Sequence, residues 1–292
     1  EPPPEWRQVS LEQFLRFFEH PARYLLRERL GIRLEEAEGL LEVREPFTLD
    51  ALGGHQVRSA LLEAGLDGRQ AEAAAALRAG GLLPHAGAGE VLLAREAGKA
   101  EAFAARVQAC RPADRLEPVT VALACGPLQL RGRLSEVSAR GRFVYRCGKT
   151  RVKDRLRLWI LHLLLNRLAP PGIAPDSRFL AEDGGLRLRP VAEAAALLER
   201  LAERYWEGCR RAVPLLPESS YAFAARVAKD GSREGAWRAA RTVWAENEFT
   251  GRGEETDPYH RLAFRDRDPI DEEFAALAEA VFLPLLAHQE AA

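Results

Sequence analysis

Methionine is absent from all 292 residues, position 1 included, so the expectation is a domain cut from a longer protein. Cysteine is scarce. Cys110, Cys125, Cys147 and Cys209 form no CxxC pair and no Cys/His ligand spacing, which excludes a signalled zinc or iron–sulfur site and leaves buried free thiols as the expectation. Long apolar runs are missing too: Trp159 to Leu165, interrupted by His162, falls far short of the roughly 18 residues of a membrane span. The opening EPPPEW has neither the basic nor the apolar portion of a secretory leader, so a cytoplasmic protein is expected, with no membrane partner. No internal repeat is visible, and the one biased tract is the alanine run Ala71 to Leu77.

What is present is ordinary in bulk and uneven in arrangement. A 47% hydrophobic content with 29% charged residues suits one large domain or two small ones. The net charge of −1 hides a segment from Arg131 to Arg157 that carries ten basic residues against Glu136 and Asp154. That segment is +8 and the remainder −9, the distribution expected when one face meets an anion such as a phosphate backbone. A solvated surface with scattered counter-charges is the plainer alternative.

Periodicity supplies the elements. Leu11, Phe14, Leu15 and Phe18 predict a helix, and Pro21 starts a second one, carrying Tyr24, Leu25 and Leu26 and stopped by Gly31. Leu49 to Arg78 reads as helical with a break at Gly65 to Gly68, and Gly80 to Glu90 reads as loop. Alternation then predicts three antiparallel strands: Val119 to Cys125, Leu128 to Leu134, and Phe143 to Cys147. Turns fall at Gly126-Pro127 and Ser138 to Gly141. A dense apolar helix, Asp154 to Leu168, follows, and then a hairpin flanking Glu182 to Gly185. Beyond Pro190 the helical faces are Ala194, Leu197, Leu198, Leu201, Tyr205 and Cys209; then Trp237, Ala240, Val243 and Trp244; then Phe274, Leu277, Val281 and Leu285. Trp237 and Trp244, seven apart, read as core. The expected fold class is α+β, one domain over 1–292, with a helical N-terminal region over 1–115, a sheet core over 116–190 and a helical C-terminal region over 191–292.

The order helix, three strands, helix, strand resembles the core of the PD-(D/E)xK nucleases. Active members of that superfamily carry a Gly-x-Ile-Asp pattern on the second strand and Asp/Glu-x-Lys on the third, and the acids hold a divalent metal. Laid on this sequence, the template puts Ser135, after Gly132-Arg133-Leu134, at the first acid, Tyr145 at the second and Cys147 at the lysine. The resemblance therefore implies a catalytically degenerate site that holds no metal and calls for no cofactor. His55, which resembles a histidine ahead of the core in some relatives, reads as a capping or surface residue.

Other segments are similar to the RecC family, the gamma subunits of bacterial exodeoxyribonuclease V, and to its C-terminal domain. These are Leu15 to Arg23 through Arg29-Leu30-Gly31; Leu49 to Leu52 with Ala79 to Pro84 and Gly87, Gly89 and Glu90; Lys153 to Trp159; and Asp257-Pro258-Tyr259. The resemblance implies a non-catalytic portion of a helicase–nuclease in recombination and double-strand-break repair. Its partners would be DNA, RecB-like and RecD-like subunits and the rest of a RecC chain. The DNA-contact candidates are Arg131, Arg133, Arg142, Arg146, Lys149, Arg151, Lys153 and Arg155. An active nuclease using Glu136 or Asp154 and a pure protein scaffold are the rival readings. The stretch Asn247 to Asp268, with Tyr259, His260 and Phe264 among mixed charges, reads as a loop that docks a partner or DNA.

Overall fold

The computed structural model describes residues 2–34, 51–84, 87–245 and 253–292. Strand β1 (Gln8–Ser10) runs into helix α1 (Leu11–Glu19). Ser10 caps α1 by accepting the Gln13 amide at 3.2 Å, while the Gln13 side chain accepts the Ser10 amide at 2.9 Å. Phe14, Leu15, Phe17 and Phe18 are buried along it. His20 breaks the helix, and Pro21 opens α2 (Pro21–Arg23), which continues as a π-helical stretch to Arg29. Two helices with a break between them are thus found where the apolar spacing puts them.

Next come α3 (Ala51–Leu66), α4 (Gln70–Ala79) and α5 (Gly87–Cys110). The glycine-rich stretch read as loop through Glu90 is helical from Gly87 onward, which corrects that expectation. Gly89 explains why: a Cβ there would sit 2.1 Å from the Pro84 carbonyl oxygen, so this glycine is needed for the chain to cross the new helix.

Strands β2 (Val119–Cys125) and β3 (Leu128–Leu134) form the expected hairpin about Gly126-Pro127, and β1 joins β3 in parallel. The third strand departs from expectation. After Leu134 the chain kinks at Ser135-Glu136, where Glu136 adopts φ 60, and resumes as β4 (Val137–Ser138). It is β4, not β3, that pairs with β5 (Gly141–Tyr145), in a second sheet ordered β4-β5-β6-β7-β8. The predicted single meander is therefore two sheets sharing a broken strand, because a left-handed residue stops the β3 ladder.

Helix α6 (Val152–Leu168) crosses from β5 to the parallel strand β6 (Ser177–Ala181), followed by β7 (Gly184–Leu188). Gly141 allows the close approach, since a Cβ there would lie 2.3 Å from the Asp176 carbonyl oxygen. Leu156, Trp159, Ile160, Leu163 and Leu164 are all buried, each large apolar side chain contributing about 1.5–3 kcal/mol. Helices α7 (Ala194–Gly208), α8 (Pro217–Asp230), α9 (Arg233–Trp244), α10 (Pro258–Ala263) and α11 (Glu272–His288) follow, and β8 (Gln289–Ala291) closes the sheet edge on β7. Trp237 and Trp244 are partly buried and pack against the cluster that contains Phe223, Phe264 and Phe274. The predicted loop from Asn247 contains α10; its residues 247–252 lie outside the described residues. All four cysteines are free, and Cys110 is exposed where a buried thiol was expected. Among the described residues no helix is long and apolar enough to cross a membrane.

Candidate nucleic-acid interface

Alternation along β3 buries Leu128, Leu130 and Leu134 and turns Gln129, Arg131 and Arg133 outward. Exposed Ser135 follows at the kink. Together with the start of α1, Arg131, Arg133 and Ser135 wall a cavity of about 260 Å³, to which Arg142 and Arg157 also contribute. Arg131 and Arg133 make no ion pair among the described residues. Arg157 is neutralised by Glu12 at 2.6 Å and Glu19 at 3.3 Å.

Arg142, one of the DNA-contact candidates, is only 8% exposed. Its Nε donates to the Ser135 carbonyl at 3.2 Å, whereas its Nη1 is buried with no hydrogen-bond partner among the described residues. Burial, and then the like charge of Arg157, pulls its pKa down to about 10.

The structure does not bring Ser135, Tyr145 and Cys147 together. Tyr145 lines a different hollow, with Arg111 and Glu136, and donates its hydroxyl to Glu63 at 3.2 Å; burial and then that carboxylate push its pKa up to about 12. Cys147 packs with Phe143 and Leu180 against residues of α3 and α5, its sulfur 3.7 Å from Glu182, and burial raises its pKa. The kink is the cause, because it breaks the period-2 register that the template carried across it. On β5 itself, Arg142 and Val144 alternate with Phe143 and Tyr145, so Arg142 takes the Ser135 side.

The rival acids do not converge either. Glu136 pairs with Arg115 at 2.6 Å, and Asp154 pairs with Arg146 at 3.0 Å while accepting the Arg151 amide at 2.9 Å. His55 lies beside Gly148; burial and then the charge of Arg146 lower its pKa, favouring the neutral ring.

The other basic candidates divide by pairing. Arg146 is held by Asp154, and Arg155 donates to Gln289 at 2.7 Å with its guanidinium over the Tyr221 ring. Lys149, Arg151 and Lys153 lie around the start of α6, and all three are exposed. Lys153 borders a groove shared with His20, Arg23, Glu218 and Asp257.

That groove contains a cluster that sequence reasoning missed. Asp257 accepts from the Tyr259 and His260 amides, capping α10, and its other oxygen lies 3.2 Å from both His20 Nε2 and Arg23 Nη2. His260 Nδ1 donates to the Glu254 carbonyl at 2.8 Å, and its ring lies 4.3 Å from that of His20. Ligand atoms of His20, Asp257 and His260 fall within 4.8 Å of one another, spacing that a metal ion could use. Two features argue for a structural tie instead. Arg23 occupies the same carboxylate oxygen, and His20 Nδ1, accepting from the Arg23 amide at 3.2 Å, leaves the proton on Nε2 facing Asp257. The available signal was the pair of segments around His20-Pro21 and Asp257-Pro258, each starting a helix; their contact is not readable from one sequence.

A family model described as the RecC C-terminal domain matches residues 6–228. The RecBCD enzyme subunit RecC of Escherichia coli (strain K12) is 33% identical over 219 residues, covering 74% of this chain and 19% of that protein. The RecBCD enzyme subunit RecC of Buchnera aphidicola subsp. Schizaphis graminum is 21% identical over 296 residues, covering 97% of this chain and 27% of its own length. The chain thus spans between a fifth and about a quarter of the length of these curated relatives. The matched stretch of the family model takes in both the arginine-lined cavity and the kinked strand, and the chain belongs to the RecC C-terminal domain family.

Proposed function

We propose that this chain is the portion of a RecC-type subunit that handles DNA and docks neighbouring subunits without cutting the strand, in recombination and break repair. The single observation that carries the reading is the cavity at the strand kink, where Arg131, Arg133 and Arg142 surround Ser135. Cations there suit a phosphate backbone and repel the divalent metal that a working nuclease needs. The path β2-β3-β4-β5-α6-β6, with β5 parallel to β6, supports a core of the PD-(D/E)xK kind whose chemistry has lapsed. RecB-like and RecD-like partners, the remainder of a RecC chain and a place in the bacterial cytoplasm belong to the same proposal, and the partners are supported by the relatives' names as RecBCD enzyme subunits.

The test is a purified chain offered labelled forked DNA with magnesium. Salt-sensitive binding with intact strands is expected. Magnesium-dependent degradation that disappears in Glu136→Gln or Asp154→Asn would replace the reading with an active nuclease. The scaffold reading would win if charge reversal at Arg131, Arg133 and Lys153 left DNA affinity and its salt dependence unchanged.

A further inference from the structure

We propose that the cavity walled by Arg131, Arg133, Arg142 and Ser135 is a binding site for one phosphate oxyanion. On the DNA-handling reading, from which the second half of this inference starts, that oxyanion is a phosphodiester of the DNA backbone. The observation that points to a ligand is Arg142. It is more than nine-tenths buried, lines the cavity, and has one hydrogen bond to the Ser135 carbonyl and a buried, partnerless Nη1 among the described residues.

A desolvated guanidinium costs free energy unless an anion or a set of acceptors meets it, and its counter-charge here is not a carboxylate in contact. Glu136 attracts it without a hydrogen bond and is itself held by Arg115. The carboxylate that does line the cavity, Glu12, is already bound by Arg157 at 2.6 Å and Arg16 at 3.5 Å. Arg131 and Arg133 complete the site from the exposed side, separated by one residue on the same strand face. The capped beginning of α1, a nine-residue helix whose first backbone amides carry partial positive charge, also lines the cavity.

The donor set favours phosphate over carboxylate. One guanidinium fork satisfies a carboxylate, whereas a tetrahedral phosphate offers oxygens in several directions and can accept from all three arginines and the Ser135 hydroxyl. The cavity, about 260 Å³, has room for such a group with some of its water.

Calorimetric titration of the chain with inorganic phosphate tests the site, with acetate as the competing chemistry. Saturable one-to-one phosphate binding is expected, weakened about tenfold by Arg142→Met and by the double variant Arg131→Gln/Arg133→Gln. The control Arg238→Gln, an exposed arginine on α9 paired with Glu234, leaves it unchanged. The double variant replaces two solvent-facing side chains, so it decides the matter even where Arg142→Met fails to fold. Phosphate binding that is absent, equal in wild type and double variant, or matched by acetate overturns the site. If phosphate binding is lost in the double variant while its affinity for forked DNA is untouched, the oxyanion site stands and the DNA-backbone assignment falls.

Discussion

Two regions of this molecule are rich in ionisable side chains, and they differ in how those side chains are matched. Around His20, Arg23, Asp257 and His260, Asp257 meets both an imidazole and a guanidinium while its other oxygen caps α10. Around the kink between β3 and β4, four arginines line a cavity with one acid, Glu12, which is already held by one of them, Arg157, and by Arg16. A cluster whose charges are matched within itself ties elements of the fold together, even though His20 Nε2, Arg23 Nε and His260 Nε2 are buried without a hydrogen-bond partner among the described residues. One left short of counter-charge waits for it from outside, and pairing rather than charge density separates the two.

That contrast breaks most readily at Asp257. Asp257→Ala removes a helix cap and strands His20 and Arg23 together, and a loss of about 3 kcal/mol in urea unfolding is expected. Forked-DNA affinity per folded molecule should not change. A substantial loss of affinity at preserved stability would merge the two regions into one site.

The pH dependence of the tied region sharpens the comparison. His260 is buried with its pKa lowered to about 4, chiefly by desolvation and then by the charge of His20. A depressed folded-state pKa gives stability that is present above the unfolded value of about 6.5 and lost as pH falls toward 4. Burial raises the neighbouring Glu254 to about 7, which acts with the opposite sign, so the wild-type curve alone does not isolate either group. The stability gap between wild type and His260→Gln should be widest at pH 7 and narrow by up to about 3 kcal/mol by pH 4. A gap independent of pH would mean that His260 is not held neutral.

Smaller effects are expected within the basic segment. Arg146→Met removes a partly buried ion pair with Asp154 and should cost about 1 kcal/mol by thermal unfolding. Arg131→Gln and Arg133→Gln should each change stability by no more than about 0.5 kcal/mol, since neither side chain has an ion-pair partner among the described residues. A larger loss at either would show that these arginines belong to the matched kind.

Much of this was legible from the sequence because it rests on local patterns. The apolar spacing at Leu11, Phe14, Leu15 and Phe18 gave α1, the alternation gave the β2–β3 hairpin, and the turn residues Glu182 to Gly185 gave the β6–β7 hairpin beside β5. What was not legible depends on a single backbone rotation or on distance along the chain. Glu136 at φ 60 turns the strand into two and carries Tyr145 and Cys147 to the side opposite Ser135, which no period-2 count across it can foresee. The basic run of ten residues was visible; that Arg142 points inward while Arg146 and Arg157 meet Asp154, Glu12 and Glu19 required the packing of α1 and α6. The joining of His20 to Asp257 spans 237 residues and has no local trace.

The most direct measurement is the affinity of the chain for forked DNA across a salt series, in wild type and in Arg131→Gln/Arg133→Gln. Loss of the one phosphate contact that both arginines share should lower the slope of log affinity against log salt by roughly 0.7 to 0.9. A slope and affinity identical in the two proteins would contradict the claim that the arginines at the strand kink meet the DNA backbone.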